Sequence, residues 1–99
     1  MLDLNRALPG QPSTRAAHGL ALAELGEHMA AAKEIDDAVA SAQRNGPVLL
    51  YAARALDLTG DKVKAQEHAR QAIVATDPPL SPRHMRLARE LAGKLARYG

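Results

Sequence analysis

GLALAELGEHMAAAKEIDDAV, residues 19–39, and ARALDLTGDKVKAQEHARQAI, residues 53–73, are two versions of one pattern. Gly19, Leu22, Gly26, Ala31, Ala38 and Val39 of the first recur as Ala53, Leu56, Gly60, Ala65, Ala72 and Ile73 of the second. Every pair keeps the interval from Gly26 to Gly60, about 34 residues, a period of stacked helix–turn–helix units. The duplication, carried from Ala16 to Ala75, describes a helical scaffold and leaves open what the scaffold binds.

Outward from the bends, each copy has the punctuation of a hairpin. Ser13 or Thr14 is a hydroxyl cap for a helix running to about Leu25, and Gly26 stands where a left-handed residue closes it. A second helix is expected from Glu27 to about Arg44, ended by Asn45 and Gly46, with Ala31, Ile35, Ala38, Val39 and Ala42 inward. Pro47 suits the first turn of a third helix, on which Leu49, Ala52, Ala53 and Leu56 form one face up to Gly60. Asp61 caps a fourth, with Ala65, Ala69, Ala72 and Ile73 inward, and Asp77-Pro78-Pro79 stops it.

Ser81-Pro82 opens a fifth helix striped by Leu87, Ala88, Leu91 and Leu95, with Arg83, Arg86, Glu90, Lys94 and Arg97 largely off that stripe. A charged outer face is what the last helix of a stack needs to shield the apolar surface beneath it. Before the first hairpin, Met1, Leu4 and Leu8 make a short helical stripe that breaks at Pro9-Gly10-Gln11-Pro12, either the tail of an earlier hairpin or a lid on the first. The expected organisation is thus a remnant and linker over 1–12 and a helical domain over 13–99, with units at about 13–45 and 46–79 and a capping helix at about 81–97.

Ninety-nine residues suffice for one modest core. Apolar residues make up 46% but aromatics only 2%, and alanine is roughly a fifth, so the core must come from closely approaching helices. A net charge of +2 is too small to imply a nucleic-acid or membrane partner by itself. The absence of cysteine excludes disulfides and thiolate metal sites. With no signal-like leader and no apolar run of spanning length, a soluble, cytoplasmic protein is expected.

With these residues in place, the chain resembles the tetratricopeptide repeat family over about Ser13 to Leu95. Gly19, Ala53 and Ala88 fill the small position of the family's first helix, while Ala31 with Ala65 and Ala38 with Ala72 fill those of the second. The aromatic positions depart: Arg15, Leu49 and His84 stand where tryptophan is typical, Leu22, Leu56 and Leu91 where tyrosine is, and Ile35 and Ala69 where phenylalanine is. The resemblance implies an all-α fold of antiparallel hairpins stacked as a short right-handed solenoid. Two complete repeats and a final helix are fewer than such arrays usually need, which points to self-association or to a longer array.

Catalytic chemistry is not expected. His18, His28, His68 and His84 form no His-x3-His or His-Glu-x2-His pair, and His18 is expected partly buried between repeats as a neutral ring. Gly26 and Gly60 stand alone rather than in a phosphate loop, and Ser13, Ser41 and Ser81 belong to caps or a helix tail. No cofactor or metal is implied.

What the resemblance implies is a groove walled by the first helices of successive units. Its walls would be Ala16, Leu20 and Ala23, then Leu50, Arg54 and Asp57, then Met85, Arg89 and Ala92. Apolar anchors and two guanidinium groups suit an extended or helical protein segment that includes a carboxylate. Some family members clamp the acidic C-terminus of a chaperone, but of the corresponding positions Ala16, Leu20, Tyr51, Pro82 and Arg86 only the last agrees, so that specificity does not carry over. The reading is a non-enzymatic protein-interaction scaffold. The alternatives are a self-association module or, less favoured, a nucleic-acid or acidic-surface contact through Arg83, Arg86, Lys94 and Arg97.

Overall fold

The structure, a computed structural model, describes residues 11–98. They form five α-helices, α1 (Pro12–Glu24), α2 (His28–Ser41), α3 (Gly46–Thr59), α4 (Lys62–Val74) and α5 (Pro82–Lys94), and a closing 3-10 turn over Ala96–Tyr98. The expected remnant or lid at Met1, Leu4 and Leu8 lies outside the described residues.

Both hairpins turn by the same device. Gly26 and Gly60 adopt φ of 84° and 97°, a left-handed conformation that glycine reaches without a Cβ clash. At each bend the next amide reaches back over the last turn, Glu27 N–H to the Leu22 carbonyl and Asp61 N–H to that of Leu56, both at 2.9 Å. These bonds satisfy carbonyls that the helix ends would leave open.

The helix starts follow the expected chemistry in two places and depart from it in two. Asp61 and Ser81 accept the amides of Lys64 and His84, each at 3.3 Å, as caps of α4 and α5. By contrast α1 opens at Pro12, with Gln11 as N-cap and no side-chain bond, so Ser13 and Thr14 lie inside its first turn. Proline at that position forfeits no hydrogen bond and is preset for the first turn.

Nor does α2 run to Arg44. It ends at Ser41, because Asn45 turns forward and accepts the Val48 amide at 3.0 Å, capping α3. Gly46 is therefore the first residue of α3 rather than the stop of α2. Its amide donates to the Pro78 carbonyl at 2.8 Å, and a Cβ there would stand 3.0 Å from the Leu80 nitrogen. A side chain at this position would press on the 75–81 connection where it crosses the start of α3.

Packing follows the two faces. α1 lies on α2 and α3 on α4; the hairpins meet through α1 on α3 and α2 on α3, and α5 rests chiefly on α4 with only a narrow contact to α3. The larger core gathers Ala16, Leu20, Ala31, Ile35, Val48, Ala52 and Leu56, with Leu95 arriving from the end of the chain. A second, around Leu49, Leu50, Ala72, Leu80 and Ala88, fixes α5 against α4. The expected inward faces of α2, α3 and α4 are buried or half-buried, whereas on α5 Leu87 is 40% exposed. Polar pairs run across the outside: Arg15 to Glu34 and Asp37 at 3.3 and 3.2 Å within the first hairpin, and Lys64 to Asp36 at 3.3 Å between hairpins.

Candidate functional site

Where α5 stands away from α3, a cleft of about 410 Å³ opens, within the range of ligand pockets. One wall is α3, with Leu50, Arg54, Asp57 and Leu58; the other is α5, with Leu87, Glu90, Leu91 and Lys94; Leu20 and Glu24 of α1 complete it. Helical spacing explains each wall: Leu50, Arg54, Asp57 and Leu58 fall at i, i+4, i+7 and i+8, and Leu87, Glu90, Leu91 and Lys94 at i, i+3, i+4 and i+7.

Four of the nine residues expected in a groove therefore meet here: Leu20, Leu50, Arg54 and Asp57. Leu20 and Leu50 are 7% and 4% exposed, a floor rather than freely accessible anchors. Ala16 and Ala23 are at 0% and 5%, closed into the core that α1 shares with α3, and they present no groove surface. Met85 and Arg89 line a separate depression with Pro82, Arg86 and Glu90, because α5 turns Leu87 and Leu91 toward α3 in their place. Ala92 is half-buried.

The α5 residues of the cleft were expected on its buried stripe or its solvent face, and one signal in the sequence locates them. The small positions Ala53 and Ala88 lie one residue further apart than the glycines do. That offset puts Leu87 and Glu90 where α3 has Ala52 and Ala55.

Asp57 closes the cleft at the end nearer the hairpin bends. Its Oδ2 accepts Lys94 Nζ at 3.1 Å across the gap, and its Oδ1 accepts Lys62 Nζ from α4. Partial burial alone would push this carboxyl up, but the hydrogen bonds and positive charges of Lys62 and Lys94 outweigh it and hold it below the usual carboxylate range. Asp57 thus ties three helices together as an anion. Arg54, Glu24 and Glu90 enter no ion pair among the described residues.

The histidines fall differently from expectation. His18 is exposed, with Nδ1 3.2 Å from Glu34 Oε2, because α1 is the outer helix of the stack and nothing described covers that side. The buried ring is His68, whose Nδ1 lies 2.8 Å from Gln71 Oε1. Among the described residues no three histidine or carboxylate groups converge as a metal site would require, and no helix is long and apolar enough to cross a membrane. Comparison of the chain with protein-family models, curated proteins and solved structures finds no match.

Proposed function

We propose that this chain is a tetratricopeptide-like, non-enzymatic interaction scaffold of the cytoplasm, and that it receives a protein segment in the cleft between α3 and α5. The observation that carries the reading is the cleft itself: a slot with leucines on both walls, and an exposed guanidinium, Arg54, without an ion-pair partner among the described residues. The repeat interval, the matching bends at Gly26 and Gly60 and the nesting of one hairpin on the next support the family reading. Preformed walls lower the ordering cost of capture, and a carboxylate beside apolar side chains complements Arg54.

The test uses the immobilised chain and a Leu87→Asp/Arg54→Glu variant. Both sites are exposed, so helical circular dichroism should be unchanged while a segment retained by the parent chain is lost. Retention by the variant at parental affinity overturns the cleft as the site.

A self-association module is the second reading, favoured by one observation. Leu25, Met29, Leu58 and Val63, 76%, 89%, 49% and 60% exposed, flank the two bends and hence share one end of the stack. Light scattering across concentrations separates the readings, since a dimer that dissociates on Met29→Glu/Val63→Glu makes that end the interface. Contact with nucleic acid through α5 is less supported. Lys94 is bound to Asp57, and Arg97 lies over the Tyr98 ring, 5.0 Å from its centroid.

A further inference from the structure

We infer that the occupant of the α3/α5 cleft is an amphipathic α-helix carrying both signs of charge beside its apolar anchors, an inference that rests on the peptide-binding reading above. Two observations carry it. The first is the hydrogen-bonding character of the walls.

An extended segment binds largely through its main chain, which needs a sheet edge or side-chain amides to pair with. Here both walls are helices whose backbone groups are paired internally, and the lining contains no asparagine, glutamine, serine or threonine. A helix brings its own backbone bonds satisfied and asks of the site only apolar contact and charge pairing. Leu87 and Leu91, one turn apart on α5, present that contact at helical spacing, with the exposed Leu58 opposite on α3 and Leu50 closing the floor.

The second observation is charge. Each of the three helices contributes one group without an ion pair among the described residues: Glu24 from α1, Arg54 from α3 and Glu90 from α5. Asp57 is already shared between Lys62 and Lys94, so it asks no counter-charge of an occupant and leaves this set unchanged. Complementarity then requires a carboxylate facing Arg54 and basic groups facing the two glutamates. A purely acidic segment would meet both glutamates as like charges. Counting back from the bends, Glu24 lies two residues before Gly26 and Arg54 six before Gly60. The two therefore differ in height by roughly 6 Å, one helical turn, and a basic and an acidic residue at i and i+4 match that step.

The test measures fluorescence anisotropy of labelled synthetic peptides against the full chain. Four peptides share one leucine pattern: a mixed-charge helix former, its all-acidic and all-basic counterparts, and the mixed peptide with a central alanine replaced by proline. The mixed peptide should bind about tenfold more tightly than either single-sign peptide, and the proline version should lose at least about tenfold. Arg54→Glu should weaken the mixed peptide about tenfold, and a peptide with its acidic residue changed to lysine should recover the loss.

Equal binding of the proline peptide, or of the all-acidic peptide, overturns the inference while the cleft survives as a peptide site. Failure of all four to bind overturns the inference and the reading beneath it. A concentration-dependent dimer abolished by Leu87→Asp makes a second copy the occupant and also overturns it. Glu90→Gln, at an exposed position, gives an independent variant that should weaken only peptides with a basic residue.

Discussion

The α1–α3 seam is closed and the α3–α5 seam is open, although each joins helices two apart along the chain. On the closed seam α1 offers Ala16, Leu20 and Ala23 to the core that α3 enters with Ala52 and Ala55, and all five are at most 7% exposed. One repeat on, the same columns hold Leu50, Arg54 and Asp57 on α3, and Leu87 and Glu90 on α5. Small side chains let helix axes approach, whereas charged ones keep their water unless each finds a partner. Of this second set only Asp57 has partners, Lys62 and Lys94. Four alanines exchanged for a leucine or a charge, and Leu20 for Arg54, thus convert a packing surface into a slot, and the slot is the candidate site.

The strongest blow to this comparison falls on the closed side. Ile35 is fully buried beneath Gly19, where an added Cβ would come within 2.8 Å of its Cδ1. Ile35→Ala should cost about 3–4 kcal/mol in urea unfolding, much of the stability of a domain this size. Leu87→Ala on the open side should cost only about 1 kcal/mol, since Leu87 keeps 40% of its surface in water. Ile35 belongs to α2 and to the core that the closed seam joins, so similar losses for the two would mean that this core is packed no better in solution than the open seam.

Next in size are the bends. Gly26→Ala and Gly60→Ala each place a Cβ on a left-handed residue and should each cost about 1 kcal/mol. Nothing lies within 4 Å of a Cβ at either position, so the two penalties should agree. A marked difference would break the equivalence of the hairpins.

How much of this was legible follows from what each feature depends on. The bends, the caps Asp61 and Ser81 and the inward faces of α2 to α4 depend on residues within a turn or two, and they read directly from spacing. The N-cap role of Asn45 was hidden because Asn-Gly stops a helix as readily as it starts one. What distinguishes the two is the Val48 amide on the Asn45 side chain, beside a long-range bond from Gly46 to Pro78 that no local window contains.

The groove was half legible for the same reason. Leu20, Leu50, Arg54 and Asp57 were found from their columns, but Ala16 and Ala23 occupy those columns too and are covered by the next unit. On α5 the slot is set by how far the helix rotates and withdraws, which no local pattern fixes. The exposure of His18 depends on there being no described neighbour beyond α1, a fact outside any local window.

A milder perturbation tests whether residue type alone separates the seams. Arg54→Leu combined with Glu90→Ala replaces two charges of the open seam with the apolar types found at the matching places of the closed one. The double variant should gain about 1 kcal/mol and lose the cleft, read as a higher urea midpoint and lower uptake of an apolar dye. An unchanged midpoint would mean that the path of the 75–81 connection, not the side chains, holds α5 away.

The smallest expected effect concerns the bond that spans the slot. Asp57 has a carboxyl pKa lowered from its ordinary value of 3.8, so its contribution is complete above that value and is lost as pH falls through the lower, folded one. Between pH 6 and 8 the Asp57–Lys94 bridge should therefore be insensitive to pH, and the acid limb of the stability curve should begin below about pH 4. A double-mutant cycle of Asp57→Asn with Lys94→Met should give a coupling of about 0.5 kcal/mol, because Lys94 is largely exposed. The cycle repeated on the Arg54→Leu/Glu90→Ala background sharpens the seam comparison. If the helices close, the pair loses water and its coupling rises; if they stay apart, it holds at its first value.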